Sequence, residues 1–221
     1  MKLLKSAILF DMDGVTINTE PLYTKAEIKL FKEYGVIIPV DDWHLFRGSS
    51  EDNFFDLSME RYNIKEDRDI FINKGRQYVR DEFNMGIPFM SGFKKLHKRI
   101  SSSYLMGLVT AAPERSLNWI VKKNSLDKYF NHMLSGETAK KNKPHPDPYL
   151  AMMKTLEIDP LNAVIIEDSV DGIQSGLSSG AHVIAKRGSV PNEKIKNAHL
   201  IIDHLDEISI ELLEDILQQN I

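Results

Sequence analysis

The chain has no cysteine among its 221 residues, which excludes disulfides, thiolate catalysis and cysteine-held zinc or iron–sulfur centres. That absence fits a reducing compartment. No run of about 18 consecutive apolar residues occurs, so a membrane-spanning helix is excluded. Neither sign of charge dominates: 28 Lys and Arg stand against 32 Asp and Glu, a net charge of −4, with no long run of either. Bulk electrostatics therefore offer nothing to nucleic acid or a membrane surface, and a small soluble ligand is the expected partner. No internal repeat or low-complexity tract is present. The opening MKLLKSAILFDMDG carries lysines around a short apolar run. It meets acidic residues at once, without a small-residue cleavage site, so it reads as a buried strand and not an export signal. A cytoplasmic monomer is the expectation.

What is present is a composition 42% hydrophobic, enough for one substantial core and, at this length, a smaller second domain. Ala7 to Phe10, Leu105 to Val109 and Ala163 to Ile166 read as buried parallel strands, short apolar runs followed by small polar residues. Ala181 to Ala185 and Leu200 to Ile202 add two more. Helical patterns separate them over Phe93 to Ile100, Glu114 to Lys123, Pro148 to Leu156 and Leu205 to Leu217. Strands alternating with helices predict an α/β fold around a parallel sheet. The alternation breaks between Thr16 and Met90, where Leu22 to Tyr34, Asp52 to Tyr62 and Asp67 to Phe83 are helical with polar faces. The expected organisation is an α/β core over 1–15 and 91–221 with a helical insertion over 16–90. Val15 to Pro21 and the cluster of Gly86, Pro88, Ser91 and Gly92 are linkers on which the insertion could move as a lid.

Ligands of parallel α/β sheets gather at the carboxyl ends of the strands. Four polar clusters stand there: Asp11 and Asp13 after the first run, Thr110 after the second, Lys143 in the loop KNKPHPDPY, and Glu167 with Asp168 after the third. Side chains two apart on an extended segment project to one side, so Asp11 and Asp13 can share a site. Bringing both near Asp168 is costly unless a cation sits among them, and hard oxygen ligands suit Mg²⁺. Lys143 adds a fixed positive charge. The Thr110 hydroxyl and the backbone N–H that follows, on Ala111, can hydrogen-bond phosphate oxygens. With a phosphate monoester neutralised in this way, Asp11 can attack phosphorus in line, splitting hydrolysis into two displacements through a phospho-aspartate. Asp13 would handle the protons, donating to the departing alkoxide and later accepting one from water. Gly14 permits the tight backbone path beside the phosphate.

The segments DMDGV, the Thr of YLMGLVT, KPHPDPY and VIIEDSVDGIQSGLSSG resemble, in order, the motifs of the haloacid dehalogenase-like hydrolases. They look most like the phosphatase and phosphoglucomutase branch, which carries a helical cap after the first motif. The resemblance implies a Rossmann-like parallel-sheet core with an inserted helical cap domain. It implies Asp11 as nucleophile and metal ligand, Asp13 as acid/base with its carbonyl on Mg²⁺, Thr110 and Lys143 on phosphate, and Asp168 on the metal. Glu167 is a metal ligand or sits just behind one. The second Asp disfavours dehalogenation, since relatives acting on carbon–halogen bonds lack it. Four positions depart from the pattern. Ala111 and Ala112 stand where Asn or Ser is frequent, Tyr23 where the mutases have a cap histidine, and Asn18 where Asp is common. The expected activity is Mg²⁺-dependent hydrolysis of a small phosphorylated metabolite, a sugar phosphate or a phosphoglycolate-like compound. A phosphohexomutase is the alternative within that chemistry. A non-catalytic phospho-receiver-like regulator is the alternative outside it, although receivers lack both the insert and the second Asp.

Other features have plainer readings. A calcium loop counted from Asp11 fails, because Thr16 and Leu22 occupy the positions that need Gly and Glu. Lys143 near Lys140 and Lys141 competes with a solvated basic loop. Its place before PHPDPY, with Asp147 as N-cap and Pro148 as first helical residue, instead anchors it at the sheet edge. His145 is left unassigned. Gly172, Gly176 and Gly180 recur every four residues and predict one helix face packed closely on the sheet. In the insertion, Phe54, Phe55, Leu57, Met59, Phe71, Tyr78, Val79 and Phe83 are the expected core. Arg47, Gly48 and Ser49, in a turn between helices, and Lys74 are candidates to touch the non-phosphate part of a substrate.

Overall fold

The computed structural model describes residues 6–46 and 51–219. Its contacts divide the chain into two compact units, Met1–Asn18 with Phe89–Ile221, and Thr19–Pro88. The sequence expectation had the insertion at 16–90. The division falls at Asn18 and Phe89 because Ile17 bridges both Asp13 and Phe89, which keeps this stretch with the larger unit.

The smaller unit is built from α1 (Glu20–Glu33), α2 (Trp43–Phe46), α3 (Glu51–Arg61) and α4 (Arg68–Met85). Helix α4 starts where the Asp67 carboxylate accepts the N–H groups of Asp69 and Ile70, satisfying two donors that a helix start leaves free. Leu30, Phe31, Phe54, Phe55, Ile64, Phe71 and Ile72 form the core, with Leu57, Met59 and Tyr78 packed at its margin. Phe31 meets Phe54, Tyr62 and Phe71 edge to face, the arrangement that ring quadrupoles favour.

The larger unit contains β1 (Ala7–Phe10), β2 (Leu105–Val109), β3 (His132–Leu134), β4 (Ala163–Glu167), β5 (His182–Lys186) and β6 (Leu200–Ile202). They form one parallel sheet in the order β3-β2-β1-β4-β5-β6, the α/β architecture expected. Its helices are α5 (Phe93–Ile100), α6 (Glu114–Asn124), α7 (Asp147–Leu156), α8 (Val170–Ser178) and α9 (Ile210–Leu217). Strands β1 and β4 are buried along their whole length, as unbroken apolar runs require. Alternate residues serve opposite faces. Leu9 joins Tyr149, Met152 and Met153 of α7 and Ile173 of α8, while Phe10 packs on Phe93 of α5 with ring centroids 5.7 Å apart. Gly107 lets α7 close on the sheet, since a Cβ there would come within 2.9 Å of Met152.

Strand order runs outward from β1 in one direction and from β4 in the other. The crevice beyond the carboxyl ends of β1 and β4 is thus the topological switch point, where open α/β sheets bind ligands. Three local expectations need correction. The helix foreseen over Leu205 to Leu217 is broken into a short turn at Leu205–Glu207 and α9, because Ser209 caps α9 by accepting the Leu212 N–H. Gly180 lies past the end of α8 at φ 78°, leaving Gly172 and Gly176 as the residues on the helix. Asp147 is the first residue of α7, with Pro146 before it as the cap.

Candidate active site

Backbone geometry sets the nucleophile candidate first. Asp11 follows β1 directly, its N–H donating to Ile166 O at 3.0 Å as a continuation of the ladder with β4. Its own carbonyl accepts the Thr16 hydroxyl at 2.7 Å, and Thr16 is fully buried. Thr110 continues β2 in the same way, donating its N–H to Leu134 O at 3.0 Å. Its hydroxyl oxygen accepts the Ala112 N–H at 3.0 Å, leaving the hydroxyl hydrogen to donate elsewhere. Ala111, between them, is exposed.

Lys143 ties the two central strands together. Its ammonium donates to Asp11 Oδ1 at 2.5 Å, Glu167 Oε1 at 2.7 Å and the Val109 carbonyl at 3.0 Å, with only 4% of the side chain exposed. Burial disfavours that charge, yet Asp11 and Glu167 hold the Lys143 pKa well above its ordinary value. Glu167 is equally enclosed. Its Oε1 also accepts the Tyr149 hydroxyl at 2.9 Å, while Oε2 accepts the N–H groups of Asp168 and Ser169 and the Ser169 hydroxyl. Burial opposes the Glu167 carboxylate as well, but Lys143 and these hydrogen bonds outweigh it and keep the pKa below normal. The carboxylate sits in a cradle that a Cβ on Gly172 would fill.

Asp11 and Asp168 are in the opposite position. Burial pushes the Asp11 carboxyl well above the usual carboxylate range; Lys143 works against the rise, and Glu167, Asp168 and Asp13 add to it. Burial and then Glu167 raise Asp168 to about 7, with the Ser189 hydroxyl, which donates to its Oδ2, pulling the other way. Gly14, at φ 78°, passes so close that a Cβ there would overlap the Asp168 carboxylate. Asp11, Glu167 and Asp168 each offer a carboxylate oxygen, and these atoms lie within 4.8 Å of one another. Asp13 is half-buried and close enough for its charge to raise both Asp11 and Asp168. An all-oxygen donor set with more buried negative charge than Lys143 alone balances suits a hard divalent cation such as Mg²⁺.

The structure thus gathers Asp11, Lys143, Glu167 and Asp168 at the switch point, with Asp13 nearby and Thr110 at the end of β2. Lys140 and Lys141 are exposed, in contrast to Lys143. Lys74 lies in α4, where its ammonium pairs with Glu33 at 2.8 Å and the Tyr34 hydroxyl at 3.0 Å inside the helical unit. Arg47, Gly48 and Ser49 lie outside the described residues. Sequence reasoning missed Tyr149, Ser169, Thr16 and Ser189. Tyr149 was masked by its place in the apolar stripe of α7, and Ser169 had a usable signal as an N-cap, accepting from the Gly172 N–H.

Comparison with known proteins shows the family. The family pattern for haloacid dehalogenase-like hydrolases matches residues 8–186. A phosphorylated carbohydrates phosphatase of Thermotoga maritima is 29% identical over 175 residues, covering 79% of this chain and 81% of its own. Hexitol phosphatase B of Escherichia coli is 31% identical over 173 residues, covering 76% and 77%. A crystal structure from Thermotoga maritima, provisionally named a beta-phosphoglucomutase, superposes with a TM-score of 0.81 at 26% identity, covering 96% of this chain and 98% of that one. Motifs, sheet order and matched length together place the chain in the haloacid dehalogenase-like hydrolase family.

Proposed function

We propose that the protein is a Mg²⁺-dependent phosphatase that hydrolyses a small phosphorylated metabolite, a sugar phosphate or phosphoglycolate-like compound, through a phospho-aspartate on Asp11. The observation that carries this reading is the buried ion pair between Lys143 and Asp11 at the switch point, with Glu167, Asp168 and Asp13 around it. Relatives named for phosphorylated carbohydrates and hexitols support the substrate class.

Asp11 and Asp168 would hold the metal through their carboxylates and Asp13 through its carbonyl, with Glu167, whose two oxygens already accept five hydrogen bonds, just behind them. When bound, the cation supplies charge neutralisation for phosphate oxygens and for the carboxylates themselves. The chain's own residues do the rest. Asp11 attacks phosphorus as the bond to the leaving oxygen breaks, and Asp13 donates its proton to that oxygen. Asp13 then takes a proton from water as water displaces Asp11 from phosphorus. Lys143 and Thr110, with the Ala111 N–H, orient the phosphoryl oxygens. The Thr19–Pro88 unit, with Arg47, Gly48, Ser49 and Lys74, is the proposed determinant of substrate choice.

Phosphate release from a panel of sugar phosphates in Mg²⁺ tests the assignment. Asp11→Asn should abolish release, and a variant with full activity would sink the mechanism. A phosphohexomutase is the second reading, favoured by the structural likeness to the Thermotoga protein. Incubation with hexose 1-phosphates separates the two, because a mutase yields the 6-phosphate where a phosphatase yields free phosphate.

A further inference from the structure

Tyr149 takes no part in the mechanism above, although its hydroxyl reaches into the charged cluster. It lies in the first turn of α7 and is fully buried. Its hydroxyl donates to Glu167 Oε1 at 2.9 Å, the same oxygen that accepts Lys143 Nζ at 2.7 Å. Its ring faces the Lys143 ammonium, 5.0 Å from Nζ to the centroid.

An ammonium has three N–H donors, and three protein acceptors already take those of Lys143: Asp11 Oδ1, the Val109 carbonyl and Glu167 Oε1. A substrate phosphate can therefore be gripped by Lys143 only when one acceptor releases its share. Glu167 is the acceptor equipped to do so. Its Oε2 has three donors of its own, and its Oε1 keeps the Tyr149 hydroxyl when Lys143 turns away. Nor can the carboxylate swing elsewhere for a partner, since it fills the space over Gly172.

The geometry points to Tyr149 as a positioning residue whose hydroxyl keeps Glu167 satisfied and so frees Lys143 to hold the substrate's phosphate. The inference rests on the phosphatase reading and says how its lysine is released. Without the hydroxyl, Lys143 is the last partner of a buried anionic oxygen, and stripping that oxygen bare is strongly disfavoured. Lys143 then stays on Glu167 and phosphate binds less well.

Tyr149→Phe keeps the ring and removes only the hydroxyl. Titration calorimetry with inorganic phosphate in Mg²⁺ should show the dissociation constant raised on the order of tenfold or more, the span of one hydrogen bond to a charged group. KM for a hydrolysed sugar phosphate should rise in parallel. A purely structural tyrosine would lower the thermal midpoint without moving phosphate affinity. In a Glu167→Gln background the tyrosine effect should shrink to about twofold or less, because a neutral amide does not bind the lysine so tightly. Equal phosphate affinity for Tyr149→Phe and its parent overturns the inference, and so does an undiminished effect in the Glu167→Gln background. A parent protein that binds no phosphate overturns the phosphatase reading, and this inference with it.

Discussion

Replacing Asp168 with Asn should change the pH dependence of stability in the sense opposite to that of a salt-bridged surface acid. In the absence of divalent metal, burial and Glu167 raise the Asp168 carboxyl from 3.8 to about 7. The folded state then holds its proton while the unfolded chain releases it. Stability is unaffected below the unfolded value and falls as pH climbs toward the folded one. For this shift the linkage integral costs about 2 kcal/mol by pH ~5 and about 4 kcal/mol by pH ~7, with little further change above.

Urea denaturation in EDTA at about pH 5, 6 and 7, on parent and Asp168→Asn, should show the parent losing about 2 kcal/mol relative to the variant across that window. Taking the difference matters. His182 and His199 are pushed below 6.5 by burial, so they lose stability as pH falls and slope the other way in both proteins alike. Glu167, lowered from 4.5, and Lys143, raised from 10.5, change charge outside the window. Asp11, raised in the same sense and partly by Asp168 itself, relaxes in the variant and adds to the difference. Saturating Mg²⁺ should flatten the parent's slope, since a cation favours the ionised carboxylates. A difference constant to within about 0.5 kcal/mol, or one of opposite sign, would refute the account of the site as a group of carboxylates short of positive charge.

Lys143→Met should destabilise the protein by about 3–5 kcal/mol near neutral pH, because it leaves buried carboxylates unpaired; a loss under about 1 kcal/mol in chemical denaturation would contradict the pairing. Gly14→Ala suffers both the φ of 78° and the overlap with the Asp168 carboxylate, so Mg²⁺ affinity by calorimetry should drop at least about tenfold in a protein that keeps its far-UV spectrum. Ser189→Ala removes the hydroxyl donor to Asp168 Oδ2 and should weaken Mg²⁺ binding by about tenfold, with Ser189→Thr restoring it; equal affinities in all three proteins would dismiss the hydrogen bond.

What could be read in advance, and what could not, divides along one physical line. Strands β1 and β2 lie where their apolar runs placed them, because a parallel strand covered on both faces is apolar at every position. Strand β3 went unseen: His132–Leu134 is a three-residue edge strand beginning with an exposed histidine, too short to carry a period. Asp11 and Asp168 were legible for a related reason, and Lys143 by its place just before the helix start at Asp147 and Pro148. A charged residue directly after an apolar run stands out, and parallel topology sends all such residues to one edge. Tyr149 was invisible by the same logic, since its spacing with Met152, Met153 and Leu156 correctly marked the ring as core and said nothing of its hydroxyl. Ser189 sits in an irregular loop, where no period exists to read. Periodicity reports which face of an element is buried, but the partners of a buried polar atom depend on tertiary contacts between segments far apart in the chain. The groups that set the charge and reach of Lys143 and Asp168 are therefore ones that the spacing of apolar residues does not reveal, even where, like Tyr149, they stand inside a motif such as KPHPDPY. Two chains with the same four motifs can accordingly bind metal with different strengths, through whichever residue stands where Ser189 stands here.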